Sequence, residues 1–304
     1  MNFSLLKQIF PGIVSESPFS FRSHTTVGIG GASPLGVYPK NSQELAQVVC
    51  FLRAEKIPYL IIGNGSNILA SDNGFHGVVI CTRRADAVAM GKDGLSIEAE
   101  CGASVSRVLA FAAKNGLGGL SFLAGIPATM GGILYMNGGA QGKYIESVLQ
   151  SAEVLLEGKS VLLSAQDCGY SYKDSRFMHE NAVLLKCVLR CSASDSEAVR
   201  KEYRETLLKR KSLPKGRSLG CVFKNLPGVS AGQLIERCGL KGLRCGDAVV
   251  SAEHANFIIN DSGATAEEYR SLIYQVKQRV FSETGMLLTE EIRYIGEFTD
   301  ASDG

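Results

Sequence analysis

The chain has 304 residues with 45% hydrophobic and 20% charged residues, a balance that excludes a disordered or fibrous protein. Its 32 basic and 30 acidic side chains leave a formal charge of +2, which gives no electrostatic reason for nucleic-acid binding. Length alone suggests two domains or three small ones; glycine is over-represented at 34 residues and tryptophan is absent.

In chain order, the first residues, MNFSLLKQIFPG, carry no basic head and no small-residue cleavage site, so no signal peptide is expected. Residues 33–80 read as strand, helix, strand. Asn41 and Glu44 form a capping pair, and Leu45, Val48, Val49 and Leu52 share a helical face. Tyr59–Ile62 is a strand that runs into Gly63-Asn64-Gly65-Ser66-Asn67. From about 81 to 192, strand-like runs (95–100, 151–156, 182–188) surround one helix, Val105–Lys114. Residues 115–142 hold no charge but nine glycines, which predicts tightly turning buried backbone and not a membrane span. A charged helix over 194–211 then leads to a third region with a strand at 219–223, a helix near 231–238 and a run at 255–259. The long helix after Thr265, capped by Glu268 and stopped by Gly285, buries Tyr269, Leu272, Ile273, Val276 and Val280; a final strand is expected over 287–295.

Nine cysteines without a CxxC pair and four scattered histidines predict reduced thiols and no metal site. Three glycine-rich stretches are candidates for chemistry. Thr25-Thr26-Val27-Gly28-Ile29-Gly30-Gly31 is not a dinucleotide fingerprint, because Ser33 stands where a third glycine is needed and no strand precedes it; a simple turn is the competing reading. Gly63–Asn67 follows a strand and could present backbone N–H groups to an anion such as pyrophosphate; the competing reading is a tight surface turn. Residues 122–140 hold two glycine-rich turns around an apolar run but no Walker lysine pattern. Packing through glycine would account for them as well.

These three stretches in this order resemble the flavin-binding region of the UDP-N-acetylenolpyruvoylglucosamine reductase (MurB) family, and the resemblance extends over about residues 19–298. Tyr172-Lys173-Asp174-Ser175 is similar to the family's Tyr-Arg-x-Ser, and Gly220-Cys221-Val222-Phe223-Lys224-Asn225 to its Gly-Ser-x-Phe-Lys-Asn. Ala231–Glu236, Gly239–Gly242, His254-Ala255-Asn256-Phe257 and Glu291–Gly296 also match. No long insertion stands between Phe177 and Ser194, which is similar to the shorter subtype.

The resemblance implies an α+β protein. It implies a vanillyl-alcohol-oxidase/PCMH-type FAD fold in two subdomains (1–80 and 81–194) and a C-terminal α+β substrate domain (195–304). It implies a soluble, cytoplasmic, monomeric enzyme of peptidoglycan precursor synthesis. NADPH would reduce bound FAD, and the flavin would pass a hydride to C3 of UDP-N-acetylglucosamine enolpyruvate while an enzyme acid protonates C2. The residues it implies for FAD are Gly63, Asn64, Gly65, Ser66, Asn67, Gly125, Ile126, Pro127, Thr129, Gly131, Gly132, Asn137 and Gly138. Tyr172, Lys224, Asn225 and His254 would contact the nucleotide sugar, and Lys173, Cys221 and Glu291 would form the catalytic set. Two positions depart from the family pattern. Cys221 replaces the proton-donor serine; a thiol, with a reference pKa of about 8.5, can still donate. Lys173 replaces an arginine, keeping charge but losing the bidentate grip on a carboxylate, and Arg176 is a possible substitute. Two rivals stay open: an FAD oxidase of the same fold acting on a sugar or hydroxy acid, and a catalytically inert nucleotide-sugar or flavin binder.

Overall fold

The computed structural model describes residues 4–298. They divide into two compact units. The first takes the chain up to Glu16, then Leu35–Asn64 and Val78–Lys211. The second takes Ser17–Pro34, Gly65–Gly77 and the chain from Ser212 onward. The expected boundary at residue 80 therefore falls inside a strand, Val78–Cys81, of the first unit, and residues 81–194 lie wholly within that unit. Two N-terminal stretches belong with the C-terminal region. The outermost parts of the expected division, residues 1–3 and 299–304, lie outside the described residues.

The first unit holds two main sheets, two further two-stranded ones and its own apolar core. The smaller sheet runs in the order Val14–Glu16, Leu35–Tyr38, Val78–Cys81, Tyr59–Ile62, with the last three strands parallel. Parallel strands need a crossover, and the helix Ser42–Ala54 supplies it between Leu35–Tyr38 and Tyr59–Ile62. Asn41 accepts from the Glu44 N–H at 2.8 Å, and the Glu44 carboxylate returns to the Lys40 N–H and not to the cap residue. The predicted face of Leu45, Val48, Val49 and Leu52 is buried.

The larger sheet is antiparallel throughout: Lys159–Ser164, Leu149–Leu156, Val183–Arg190, Ser96–Glu100, Val88–Met90. The helix Val105–Lys114 has the predicted bounds and is capped by Ser104. The uncharged stretch 115–142 folds as tight turns around the short helix Met130–Tyr135, with Leu117, Leu120, Phe122 and Leu123 in the core. Among the described residues no helix is long and apolar enough to cross a membrane.

The second unit has its own core and a four-stranded antiparallel sheet in the order Arg217–Cys221, Phe257–Asn260, Ala248–Val250, Arg244–Cys245. The helix Ala266–Thr284 carries a full capping box, Thr265 with Glu268, and ends at Gly285 in the left-handed region (φ 70°). Tyr269, on its buried face, donates its hydroxyl to the Ile258 carbonyl at 2.9 Å. The final strand is shorter than predicted. Only Arg293–Ile295 is a strand, and it pairs in parallel with Ile68–Ala70. Upstream, Thr289–Glu291 spend their backbone groups on Val222–Lys224 through an isolated bridge instead.

Candidate active site

In the first unit, two glycine-rich motifs that lie some sixty residues apart in sequence meet. A Cβ built on Gly63 would stand 2.2 Å from Thr129 Oγ1, so only glycine allows this approach. Asn64 Nδ2 donates to the Pro127 carbonyl at 3.3 Å. The N–H groups of Asn64, Gly125 and Thr129 meet no protein acceptor among the described residues, and Thr129 is only 2% exposed. A buried donor without a partner is costly. Oxygen atoms of a pyrophosphate would satisfy these donors, so the residues fit FAD.

The helix Met130–Tyr135 contributes less than its position suggests. The Met130 and Gly131 N–H groups donate to the Ala103 and Cys101 carbonyls, and that of Gly132 to the Thr129 hydroxyl at 3.4 Å. Gly131 packs on Cys101 and Gly138 on Ile133, while a Cβ on Gly132 would meet Thr129 Oγ1 at an ordinary contact distance of 3.7 Å. Ile126, half-buried, donates its N–H to Leu123.

Asn137 is fully buried with φ 44°, and its amide is occupied. It donates to Glu146 and to the Ser171 carbonyl and accepts from the Glu146 N–H. Its side chain therefore anchors the base of a turn in which Ser171 and Asp174 exchange backbone hydrogen bonds. Tyr172 and Lys173 are the two central residues of that turn. Lys173 is half-buried at φ 53°, a conformation that costs a residue with a Cβ roughly 1–2 kcal/mol. Tyr172 is 41% exposed and meets Tyr144 edge-on. Ser175, the last motif residue, donates to the Tyr135 carbonyl at 2.7 Å.

Arg176, the candidate substitute for the missing motif arginine, stands in an ion pair with Glu180. Its guanidinium is committed to the Glu180 carboxylate and the Asp167 carbonyl, and the Glu180 hydrogen bonds raise its pKa.

In the second unit, Gly65 packs against the first glycine-rich stretch. At φ 61° it places a would-be Cβ 2.5 Å from the His24 carbonyl. Its own carbonyl accepts from Thr26 N–H, and the Thr26 hydroxyl donates to Ser218. The Thr25–Gly31 stretch is thus built into this unit by packing: a Cβ on Gly31 would stand 2.1 Å from the Asp72 carbonyl. Any side chain at Gly65 would disturb the fold. The N–H groups of Gly65 and Ser66 have no protein acceptor among the described residues.

Cys221 ends the strand Arg217–Cys221, half-buried and in no disulfide, after Gly220 at φ 79°. The Glu291 N–H donates to the Val222 carbonyl at 2.7 Å, which sets the backbones of Cys221 and Glu291 on neighbouring segments. Asn67 acts on this pair. Its Nδ2 donates to the Glu291 carbonyl at 3.0 Å, and its own carbonyl accepts from the Arg293 N–H. Sequence reasoning placed Asn67 in an anion-binding turn and missed this link, because nothing local in the sequence signals an amide–carbonyl bond across 224 positions.

Lys224 is held by its N–H to the Thr289 carbonyl, and Asn225 Oδ1 accepts from Ala231 N–H at the start of the helix Ala231–Arg237. His254 is half-buried, with Cε1 3.1 Å from the Cβ that Gly232 lacks. Its Nδ1 accepts from the Asn256 N–H, which leaves the proton of the neutral ring on Nε2 as a donor.

Burial, reinforced by Lys241, lowers the His254 pKa from its ordinary 6.5. The folded state therefore binds this proton less well than the unfolded chain. The resulting stability is present above pH 6.5 and is lost as pH falls below it. The melting temperature of His254→Gln is expected to fall less than that of the wild type between pH 7 and pH 5; parallel curves would rule out His254 as the source.

A second expectation concerns Gly63. Gly63→Ala should destabilise the protein by about 1–3 kcal/mol, as overpacking does. Thr129→Ala in the same chain should restore part of the loss, since it removes the closest clashing atom. Additive losses in chemical unfolding would mean that Thr129 is not what Gly63 accommodates.

Among the described residues, no three His, Cys, Asp or Glu side chains gather as a metal site would require. A family model for an FAD binding domain matches residues 34–163, and one for the C-terminal domain of UDP-N-acetylenolpyruvoylglucosamine reductase matches residues 211–295. The chain is 42% identical over 292 residues to the UDP-N-acetylenolpyruvoylglucosamine reductase of Caldicellulosiruptor bescii, spanning 94% of this chain and 92% of that protein. It is 37% identical over 293 residues to that of Streptococcus pneumoniae, spanning 95% and 97%. The crystal structure of the Thermus caldophilus reductase superposes with a TM-score of 0.78 at 31% identity, covering 93% of this chain and 99% of that one. With the FAD-compatible cradle, the C-terminal motif segments and likeness along nearly its whole length, the chain belongs to the UDP-N-acetylenolpyruvoylglucosamine reductase family.

Proposed function

We propose that the protein reduces UDP-N-acetylglucosamine enolpyruvate to UDP-N-acetylmuramate through FAD, with NADPH as the electron donor, in peptidoglycan precursor synthesis. The observation that carries this reading is the 42% identity over 292 residues with a reductase of that name, which spans the FAD-binding and C-terminal regions alike. Bound FAD supplies the hydride chemistry, from NADPH to C3 of the enolpyruvyl group.

The chain supplies the rest. The open N–H groups of Asn64, Gly125 and Thr129 would hold the pyrophosphate of FAD, and Gly63, Gly65, Ser66, Asn67, Ile126, Pro127, Gly131, Gly132, Asn137 and Gly138 are the other residues proposed for FAD. Cys221 gives the proton to C2. Lys173 stabilises negative charge that builds on the substrate carboxylate, and Glu291 completes the catalytic set. Tyr172, Lys224, Asn225 and His254 contact the nucleotide sugar, Lys224 through its charge and His254 through its Nε2–H. The enzyme works as a monomer in the cytoplasm, without a nucleic-acid or membrane partner.

The test is product analysis. Purified protein loaded with FAD, NADPH and the enolpyruvyl substrate is expected to consume one NADPH per UDP-N-acetylmuramate formed, followed by mass spectrometry. NADPH consumption that yields only peroxide, with the nucleotide sugar unchanged, would refute the reading.

A further inference from the structure

The chain just after Cys221 is held in an unusual way. The Val222 N–H donates to the Asn256 main-chain carbonyl at 2.9 Å. The Phe223 N–H donates to Asn256 Oδ1 at 2.9 Å, and Asn256 Nδ2 donates to the Phe223 carbonyl at 2.8 Å. The remaining polar group, the Val222 carbonyl, takes the Glu291 N–H. Asn256 thus binds both sides of the Phe223 residue as a neighbouring strand would.

The sheet itself does not do this. Arg217–Cys221 pairs with Phe257–Asn260, with a register shift between Ser218 and Cys221; Cys221, opposite Phe257, is the last pair, so the Phe223 backbone groups lie beyond the end of the ladder. Phe223 is 2% exposed and Asn256 3%, so water cannot replace a lost bond there. Of the standard side chains, a primary amide of this length both donates and accepts in the required fork. Asp can only accept when ionised, and Ala can do neither.

We infer that Asn256 is a positioning residue of the reaction. By gripping the Phe223 backbone it fixes the segment that carries Cys221 and so aims the thiol at the carbon to be protonated. The inference rests on the reading of Cys221 as proton donor.

The test uses the FAD-loaded enzyme and follows the two half-reactions separately. Asn256→Ala is expected to be reduced by NADPH at the wild-type rate but reoxidised by the enolpyruvyl substrate about 10²-fold more slowly, the scale of loss that follows a misplaced reacting group. Its reoxidation should also slow further in D₂O than that of the wild type, because proton delivery becomes limiting. In the Cys221→Ala background, Asn256→Ala should add no further loss. Asn260→Ala serves as control. Asn260 is also 3% exposed and bonded, to Val27 and Ala264, at the far end of the strand Phe257–Asn260 that Asn256 precedes, so its loss should lower stability and leave the reoxidation rate unchanged. Should Asn256→Ala fail to fold, Asn256→Asp, isosteric and still an acceptor for the Phe223 N–H, is expected to show the same split. Wild-type reoxidation in the Asn256 variants, an undiminished loss in the Cys221→Ala background, or an equal slowing in Asn260→Ala would overturn the inference. If Cys221→Ala alone reoxidises normally, the proton-donor reading fails on its own evidence and takes the inference with it.

Discussion

Replacing Cys221 by Ala is expected to leave reduction by NADPH intact and to slow reoxidation by the enolpyruvyl substrate about 10²–10⁴-fold, the usual cost of a missing general acid. A hydride alone cannot complete the reduction; C2 must also gain a proton from a positioned acid. Cys221 occupies the serine position of the family's motif, half-buried at a strand end, with its following backbone fixed by Asn256 and Glu291. A thiol is more acidic than a hydroxyl yet still mostly protonated at neutral pH. Cys221→Ser should therefore regain most of the rate, and it should also resist peroxide, which attacks thiols and not hydroxyls. Stopped-flow absorbance separates the two half-reactions. Reoxidation of Cys221→Ala at the wild-type rate, with product formed, would make Cys221 a packing residue.

Lys173→Ala is the second large effect. Loss of a positioned charge that meets negative charge in the transition state costs about 10²–10³-fold in similar sites. That loss is expected in reoxidation by substrate, with little change in reduction by NADPH. Lys173→Arg should hold or raise the rate. The turn adds an independent handle. Lys173 sits at φ 53°, where glycine is unstrained, so Lys173→Gly should hold or raise stability, by up to about 1 kcal/mol, while losing activity like the Ala variant. A residue kept in a strained conformation at the expense of stability fits a functional position. Full activity in Lys173→Ala would pass the role to another cation, with Arg176, bound to Glu180 and Asp167, the first to test.

Much of the fold was legible where local chemistry decides it. Thr265, Glu268 and Gly285 state the ends of their helix outright, and Ser104 with Val105–Lys114 does nearly as well. The strand Val78–Cys81 was not legible. It is buried on both faces, so its four apolar residues show no alternation, and it fell on an expected domain boundary. Residues 287–291 read as strand but bond irregularly to Val222–Lys224, a pairing set by tertiary structure.

The site divides the same way. Glycine-rich turns and the family motifs named the candidate segments, and the structure brings Gly63 against Thr129 within one unit. The bonds of the asparagines were beyond reach: Asn137 anchors the Lys173 turn, while Asn67 and Asn256 tie down Glu291 and the segment after Cys221. An amide side chain is equally at home in a turn, a cap or a buried bond to a distant backbone, and only the fold says which.

The central claim is tested most directly by an anaerobic flavin cycle. The purified protein is expected to be yellow, or to become so with FAD. NADPH should bleach its visible bands, and the enolpyruvyl substrate, added without oxygen, should restore them with one UDP-N-acetylmuramate formed per flavin. A protein that cannot be loaded with FAD, or whose bleached flavin stays bleached when substrate is added, would contradict the account.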